Sequence, residues 1–377
     1  MFYMNTAKVR RYDLDWLRVS VFGILIIYHV GMYFVPWKWH IKHELTYDWI
    51  SWPMIFINQW RLPILFIISG MGTRFALSHR SGQLFRKERL MRLGIPLLVG
   101  VILIVPPQLY IERILSGDFE GSFGLFYVRE CFRGIYPEGN LSWHHLWFLP
   151  YLLLFSLILS PLLIHVRDNS EKGAVGITRR LLGFKFGIYL FTIPLIIIEI
   201  LLEPFFPVTH ALLDDWYTIA LYITLFFIGY LFICCQTEFW NAVNQIKAYA
   251  LLMGIISFSS YYAINTFIED GHLAHIIEAC IKMINMLSWI IVLFGFSGQF
   301  LNRPSKLLKY CNEAVYPFYI LHQTVQIVLA YFLIQLQLPP LFVFLLLILG
   351  TFLVSWLLYE FLIRRIKFIR PLFGLKN

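Results

Sequence analysis

The sequence predicts an all-α, polytopic membrane protein, namely a bundle of about ten transmembrane helices with both termini in the cytoplasm. Three observations predict this class. Of the 377 residues, 59% are hydrophobic and only 14% are charged, whereas a soluble domain carries roughly 25% charged residues. Apolar runs long enough to cross a hydrocarbon core of ~30 Å recur along the whole chain. The segments between these runs alternate in charge.

Each predicted span is an unbroken apolar run, because backbone groups in lipid must find their hydrogen-bond partners within a helix. The ten runs are 15–36, 49–72, 93–110, 146–166, 183–202, 216–235, 248–267, 275–300, 314–336 and 340–361. No stretch is long or polar enough for a separate soluble domain, so residues 1–377 are predicted to form one membrane domain. The first run is also too long for the core of a cleavable signal peptide.

The charged connections set the predicted orientation. Most of the 31 Lys and Arg residues fall on one side, as in Lys8-Val9-Arg10-Arg11 and the basic segment 80–92. The other side carries acidic pairs such as Asp214-Asp215 and Glu269-Asp270, and the connection 236–247 favours neither side. This asymmetry is the positive-inside bias of a multi-pass protein. It accounts for the net charge of +9 without a nucleic-acid partner, and it predicts the inner (cytoplasmic) membrane and the lipid bilayer as surroundings.

The first span carries two ionisable residues, which are costly in lipid and often functional. Arg18 and His29 are eleven residues apart, close to three helical turns, so they share one face. Arg18 is expected near the cytoplasmic end, with His29 about 16 Å further out. The alternative is that Arg18 extends to the interface and that His29 is a hydrogen-bonded residue of the bundle.

The ninth span carries a polar stripe. Tyr316, Tyr319, Gln323 and Gln326 follow one helix face, and His322 lies on its flank. Such a stripe must face the bundle interior, as a site or as interhelical hydrogen bonds.

Three further features lie within spans. Arg61 has no partner within its own turns, which predicts either a pairing across helices or an anionic ligand. Glu278 and Lys282 are spaced i,i+4, so we expect them to neutralise each other. Ser69-Gly70 ends span two as a close-approach point for backbone and ligand.

Metal and hydrolase chemistry have no support in the sequence. The histidine couples His40/His43, His144/His145 and His272/His275 lie near outward loops, but no HExxH motif occurs, and no metal site is predicted. The five cysteines form no disulfide framework or zinc spacing. A Ser-His-Asp hydrolase is unsupported because GxSxG is absent.

The motifs in their order along the chain resemble the membrane acyltransferase-3 family. They are Asp15-x-x-Arg18 followed by His29, Phe66-x-x-Ser69-Gly70, Phe85-Arg86-Lys87-Glu88-Arg89-Leu90-Met91-Arg92 before Ile95-Pro96, His145-Leu146-Trp147-Phe148-Leu149, and Tyr316-x-x-Tyr319-x-x-His322. Within the family, Trp39-His40 and the run from Arg89 to Pro96 resemble the glucan biosynthesis protein C branch.

The resemblance implies transfer of an acyl group from cytoplasmic acyl-CoA to a hydroxyl of an extracytoplasmic glycan. It implies that His29 is the catalytic histidine and that Arg18, Arg86, Arg89 and Arg92 serve the CoA side. No tightly bound cofactor is expected, since acyl-CoA is a co-substrate. No residue decides between an acetyl and a succinyl donor, and the oligomeric state is open.

The chemistry adds roles to these positions. Attack of a sugar hydroxyl on a thioester needs a base near neutral pKa, for which imidazole is suited; His322 is a second catalytic candidate that orients His29 or the acceptor. Arg86, Arg89 and Arg92 suit CoA phosphates, although each also serves as a topology determinant. We assign Ser69 and Gly70 to donor binding. Substrate binding is assigned to Arg61, Tyr316, Tyr319, Gln323 and Trp147.

Alternative schemes remain open at this level. His29 either activates the acceptor for direct transfer or is itself acylated in a ping-pong scheme. The competing functions are a transporter that uses the buried charged residues as a substrate or proton pathway, and a non-catalytic assembly subunit for envelope glycans.

Overall fold

The predicted all-α membrane bundle is confirmed. The computed structural model describes residues 10–78, 80–169, 172–269 and 271–376, so Lys8, Val9 and Asp270 of the predicted connections lie outside the described residues. The α-helices of the described part are α1 Tyr12–Gly31, α2 Ser51–Leu77, α3 Gly82–Arg89, α4 Ile95–Val99, α5 Pro106–Ser116, α6 Phe123–Arg129, α7 Phe148–Ile158, α8 Ser160–Asp168, α9 Gly173–Gly183, α10 Thr192–Leu202, α11 Trp216–Cys234, α12 Gln236–Phe267, α13 His272–Phe300, α14 Lys306–Leu333 and α15 Pro340–Leu357.

Eight helical segments of the described chain are long and apolar enough to cross a membrane. They are Tyr12–Gly31, Asp48–Leu77, Gly82–Ser116, Trp216–Cys234, Gln236–Phe267, His272–Phe300, Lys306–Leu336 and Pro340–Ile363. The predicted span 146–166 is a helix pair, His144–Ile158 and Ser160–Asp168, bent by 52° at Leu159. As one broken span it gives nine. The predicted span 183–202 is the shorter apolar segment Gly187–Leu202.

Contacts between α1 and α14 restrict the number of membrane spans. Arg18 bonds to Asn312 and His29 bonds to His322, so both helices run in the same direction. Parallel helices need an odd number of spans between them. If the bent pair is added to the eight long segments without Gly187–Leu202, the number of spans between α1 and α14 becomes even. If both are added, or neither, that number stays odd. An even total then leaves both termini on one side of the membrane; that this side is the cytoplasm stays a prediction.

The predicted connection 236–247 is helical in the structure and continues into the span that follows it. α11 ends at Cys234 and α12 begins at Gln236, with only Cys235 between them in a non-helical conformation. The charged residues of this segment have partners: Glu238 lies 3.0 Å from Arg179, and Lys247 donates to Gln299 at 2.6 Å. Satisfied charges do not interrupt a helix.

The predicted ion pair between Glu278 and Lys282 is wrong. Lys282 of α13 instead pairs with Glu199 of α10, with Nζ 2.5 Å from the carboxylate, and Tyr217 donates to the same carboxylate at 2.5 Å. Glu199 is only 3% exposed, whereas Glu278 is partly exposed. A buried carboxylate has the greater need of a cation, since it has lost its water.

Helix α2 lies at the centre and presses closely against α11. Gly70 and Gly229 face the opposite backbone, and a Cβ on either would overlap the carbonyl oxygen of Phe226 or Ile67. Small residues at such a crossing let two membrane helices touch. At the periphery, α15 exposes leucines that recur every fourth residue, an apolar stripe suited to lipid: Leu341, Leu345, Leu349 and Leu353.

Candidate active site

The centre of the site is a pair of histidines contributed by the parallel helices α1 and α14. His29 Nδ1 lies 2.9 Å from His322 Nε2, and the two rings are parallel to within 7°. His322 is fully buried, at 0% exposure, while His29 is partly open and lines a cavity. Of the two roles offered for His322, orienting His29 or orienting the acceptor, the contact favours the first.

The hydrogen bonds determine where the protons sit. His322 Nδ1 lies 2.7 Å from the carbonyl oxygen of Tyr319, which only accepts, so Nδ1 carries a hydrogen. In the neutral ring Nε2 is then an acceptor, and His29 must donate to it from Nδ1. The Nε2 atom of His29 is left without a proton. The second histidine therefore fixes the first in the tautomer that can accept a proton.

A neighbouring histidine stabilises the backbone that presents His322. His145 Nε2 lies 3.0 Å from the carbonyl oxygen of Ile320, and Tyr319 donates its hydroxyl to the carbonyl of His145 at 2.7 Å. The ring of His145 meets that of His322 edge to face, with centroids 5.2 Å apart. Pro317 interrupts the α14 ladder just before this turn. These bonds hold the turn of α14 from which His322 projects.

A buried amide network continues from the pair. Gln323 donates to Gln108 at 3.0 Å, and Gln108 donates to Thr324 at 2.9 Å. Gln323 also contacts His40, whose other ring nitrogen pairs with Glu112. The predicted polar stripe does face the interior, since Tyr319, Gln323 and Gln326 are buried.

A cavity of about 1130 Å³ opens from His29 toward the predicted outer side. Its wall combines aromatic rings with a few polar side chains: Trp39, Trp143, Trp147, His210, Tyr222 and Arg61. His210 stacks on Trp147 with ring centroids 3.8 Å apart. Burial lowers the pKa of His210 to about 4, so this ring is a neutral stacking surface at pH 7. Large apolar clefts with a few directed polar groups are typical of substrate sites.

The loop that carries His210 is held by one buried carboxylate. Asp215 accepts from the backbone N–H of His210 at 3.0 Å and from the hydroxyl of Tyr151. That hydroxyl accepts in turn from the N–H of Leu212 at 3.0 Å. The backbone at His210, Leu212 and Asp214 has positive φ, which non-glycine residues adopt only when their surroundings enforce it. The outer wall of the cavity is thus built to a fixed shape.

Arg61 of α2 lies in the wall of this cavity. It is 4% exposed, and its guanidinium lies over the ring of Tyr28, 3.6 Å from the ring centre. Nη2 donates to Asn58 at 3.1 Å, a bond within its own helix. Among the residues that the structure describes, no carboxylate pairs with it.

A second cavity of about 360 Å³ reaches the histidine pair from the opposite end. It lies between α1, α14 and α15, and its lining is almost wholly apolar. His322 and Tyr319 form one end, while Leu307, Tyr310 and Cys311 lie toward the basic start of α14. The two cavities therefore meet at the His29–His322 pair.

The basic side gathers the predicted donor arginines without bringing them into one pocket. Arg86 donates to Ser160 at 3.3 Å and Arg89 donates to Thr73 at 3.0 Å, whereas Arg92 is exposed. Tyr316 lies beside them and donates to the carbonyl of Arg92 at 3.0 Å. Arg18 is engaged by Asp15 at 2.7 Å and by Asn312.

The close approach predicted at Ser69-Gly70 exists, but its neighbour is a helix. Gly70 abuts the backbone of α11, and Ser69 donates its hydroxyl to the carbonyl of Leu65 at 2.7 Å. Both residues lie outside the linings of the two cavities. Packing alone accounts for these two positions, so their assignment to donor binding has no structural support.

Sequence reasoning assigned no role to Gln108, Tyr28, His40 or His145. Gln108 had a signal, because an amide that follows a long apolar run close to two prolines is costly in lipid. His40 and His145 were quoted as parts of motifs. Only the fold shows that His40 contacts Gln323 and that His145 contacts His322.

A multi-span bundle that holds a tautomer-fixed histidine between two cavities is suited to a membrane-embedded transferase. The model of the acyltransferase-3 family, described as an acyltransferase domain, matches residues 11–360. The chain belongs to this family and is a membrane acyltransferase.

Curated relatives agree with the predicted branch. The chain is similar to glucans biosynthesis protein C of Escherichia coli strain K12, with 27% identity over 173 residues, which cover 45% of this chain and 43% of that relative. It is 22% identical to the protein of the same name from Escherichia coli O17:K52:H18 strain UMN026, over 334 residues that cover 85% of this chain and 83% of that relative. The first match thus spans less than half of the relative's length. No solved structure matches this chain.

Proposed function

We propose that the protein transfers an acyl group from cytoplasmic acyl-CoA to a hydroxyl of an extracytoplasmic glycan, with His29 as the general base. The observation that carries this proposal is that His29 lines the outer cavity while its bond to His322 leaves its Nε2 without a proton. A residue that only joined helices would need neither a fixed tautomer nor access to a cavity. The match to glucans biosynthesis protein C supports a glycan acceptor.

The proposed reaction is direct. The acceptor hydroxyl donates its hydrogen bond to His29 Nε2 and attacks the thioester carbonyl, while its proton passes to the imidazole. The new C–O bond forms and the C–S bond breaks, and the departing CoA sulfur takes the proton back from His29. During the step His29 carries positive charge, which its Nδ1–H shares with His322 and, through that ring, with the Tyr319 carbonyl.

The two cavities suit two substrates arriving from opposite sides. The apolar cavity ends at His322 and Tyr319 and suits the thin pantetheine arm of the donor, with Arg86, Arg89 and Arg92 on the basic side for the CoA phosphates. The outer cavity offers a sugar ring an aromatic wall that includes the stacked pair of Trp147 and His210. Gln323, beside the histidine pair, adds an amide for a sugar hydroxyl. Tyr316 lies near Arg92, so we place it with the donor rather than the acceptor.

The test uses purified protein in nanodiscs with acyl-CoA and a glucan oligosaccharide. Free CoA and the mass of the acylated glycan are measured together. His29→Ala should lower turnover by about 10²- to 10⁴-fold, the usual contribution of a general base. His165→Ala on the exposed surface of α8 is the matched control and should keep wild-type turnover. Undiminished transfer by His29→Ala would remove this histidine from the mechanism.

The same preparation separates the alternatives. Incubation with acyl-CoA but no acceptor, followed by intact-mass analysis, detects an acylated enzyme if His29 works by a ping-pong route. The direct route predicts no such species. Uptake of solute by proteoliposomes without any dependence on CoA would favour a transporter.

A further inference from the structure

Arg61 has donors that the protein does not use. Its Nε and Nη1 atoms are buried and have no hydrogen-bond partner, although the side chain lies in the wall of the outer cavity. Asn58 takes one donor, and the ring of Tyr28 covers one face of the guanidinium. A guanidinium is always charged, and a buried charge is normally paired. A partner of opposite charge is therefore missing from the described part of the chain.

Comparison with three partly exposed cations shows how unusual this is. Lys282 pairs with Glu199 and Arg18 pairs with Asp15, so each has a carboxylate within the described chain. Arg11 likewise pairs with Asp13. Arg61 is 4% exposed and has none. Among the described residues lining the outer cavity, the one carboxylate is Glu203, and it forms no ion pair with Arg61.

Arg61 is also close to the proposed chemistry. The guanidinium contacts Tyr28, the residue before His29, and the rings of Tyr28 and His29 lie 5.9 Å apart. A substrate group held by Arg61 would therefore lie beside the hydroxyl and thioester that react at His29.

We infer that Arg61 is an anion-binding subsite of the outer cavity, which receives a carboxylate or phosphate carried by one of the two substrates. Its fork of N–H groups matches the two oxygens of such an anion. The anion has two possible sources, the far end of a dicarboxylic acyl group or an acidic group on the acceptor glycan. This inference rests on the proposed function, and it makes Arg61 a residue that determines specificity.

The test compares substrates that differ in one charge. Nanodisc-embedded wild type, Arg61→Gln and Arg61→Lys are assayed with acetyl-CoA or succinyl-CoA, each with a neutral glucan oligosaccharide or the same oligosaccharide carrying one phosphate. Arg133→Gln, which removes a guanidinium that is 73% exposed, is the matched control. Equilibrium binding of the four ligands is measured on the same samples. Binding does not depend on turnover, so this second readout tests Arg61 even if no pair of substrates reacts. Absence of turnover in every combination would refute the proposed function alone.

Wild type should prefer the charged member of one substrate pair by roughly 10- to 100-fold in kcat/KM or in affinity, the effect of a charge-assisted hydrogen bond. Arg61→Gln should abolish that preference, Arg61→Lys should keep part of it, and Arg133→Gln should keep all of it. If Arg61→Gln loses the preference between the two donors, the anion lies on the acyl group. If it loses the preference between the two glycans, the anion lies on the acceptor. Equal loss for charged and neutral ligands, or no change in any combination, would overturn the inference.

Discussion

His322 offers the sharpest test of the histidine pair, because its two ring nitrogens have separate partners. Nδ1 bonds to the Tyr319 carbonyl at 2.7 Å, and Nε2 accepts from His29 at 2.9 Å. A glutamine at this position places its amide near the location of Nε2, whereas an asparagine reaches only as far as Nδ1. His322→Gln therefore keeps an acceptor for His29, and His322→Asn loses it.

The expected loss follows from the bond that is broken. Without an acceptor, the buried Nδ1–H of His29 is unsatisfied, which costs about 1–3 kcal/mol and corresponds to roughly 5- to 150-fold in rate. The upper bound is the loss in His29→Ala, about 10²- to 10⁴-fold. We expect His322→Asn to lower kcat by an amount in the first range, and His322→Gln to recover most of it.

The assay is acceptor-dependent CoA release in nanodiscs, with kcat and KM determined separately for each variant. A positioning role changes kcat and leaves KM for acyl-CoA nearly unchanged, because only the transition state uses the proton transfer. If His322→Asn were as active as His322→Gln, the fixed tautomer would have no part in the reaction. The melting temperature of both variants is measured as well. A fall that both variants share would not explain a difference in kcat between them.

Three further outcomes are expected. Gly70→Ala should lower the free energy of unfolding by about 1–3 kcal/mol, because its Cβ overlaps the backbone of α11, while Gly72→Ala, which meets nothing within 4 Å, should not lower the thermal melting temperature. The pKa of His210 is about 4 when folded and about 6.5 when unfolded, so the unfolded chain binds the extra proton; stability should fall as the pH drops from about 6.5 toward 4, and His210→Phe should flatten this dependence. Arg92→Gln should raise KM for acyl-CoA by about 2- to 5-fold, the effect of one exposed ionic contact, and added salt should shrink the difference; an equal effect at high salt would argue against phosphate binding.

The sequence predicted those parts of the site that follow from one helix alone. Arg18 and His29 share a face because of the helical repeat, and the stripe from Tyr319 to Gln326 faces inward because polar groups are costly in lipid. Contacts between distant helices were beyond this reasoning. Lys282 finds its carboxylate 83 residues away, and only the fold shows that α10 brings Glu199 to it. The bend between α7 and α8 had a signal in Pro161, at the start of α8, because proline breaks the hydrogen-bond ladder of a helix.

The position of the histidine pair suits a physical requirement of the proposed acyl transfer across the membrane. The donor and the acceptor meet at one point, yet neither aqueous side can reach the other freely without hydrolysing the thioester or leaking ions. Here the apolar cavity ends at the fully buried His322, and the outer cavity ends at the partly open His29. Two hydrogen bonds of the described residues join the linings of the two cavities: the one between the two rings, and the one from Tyr319 to the carbonyl of His145. A proton taken from the acceptor thus needs to travel no further than His29, and the bundle stays closed around the reaction.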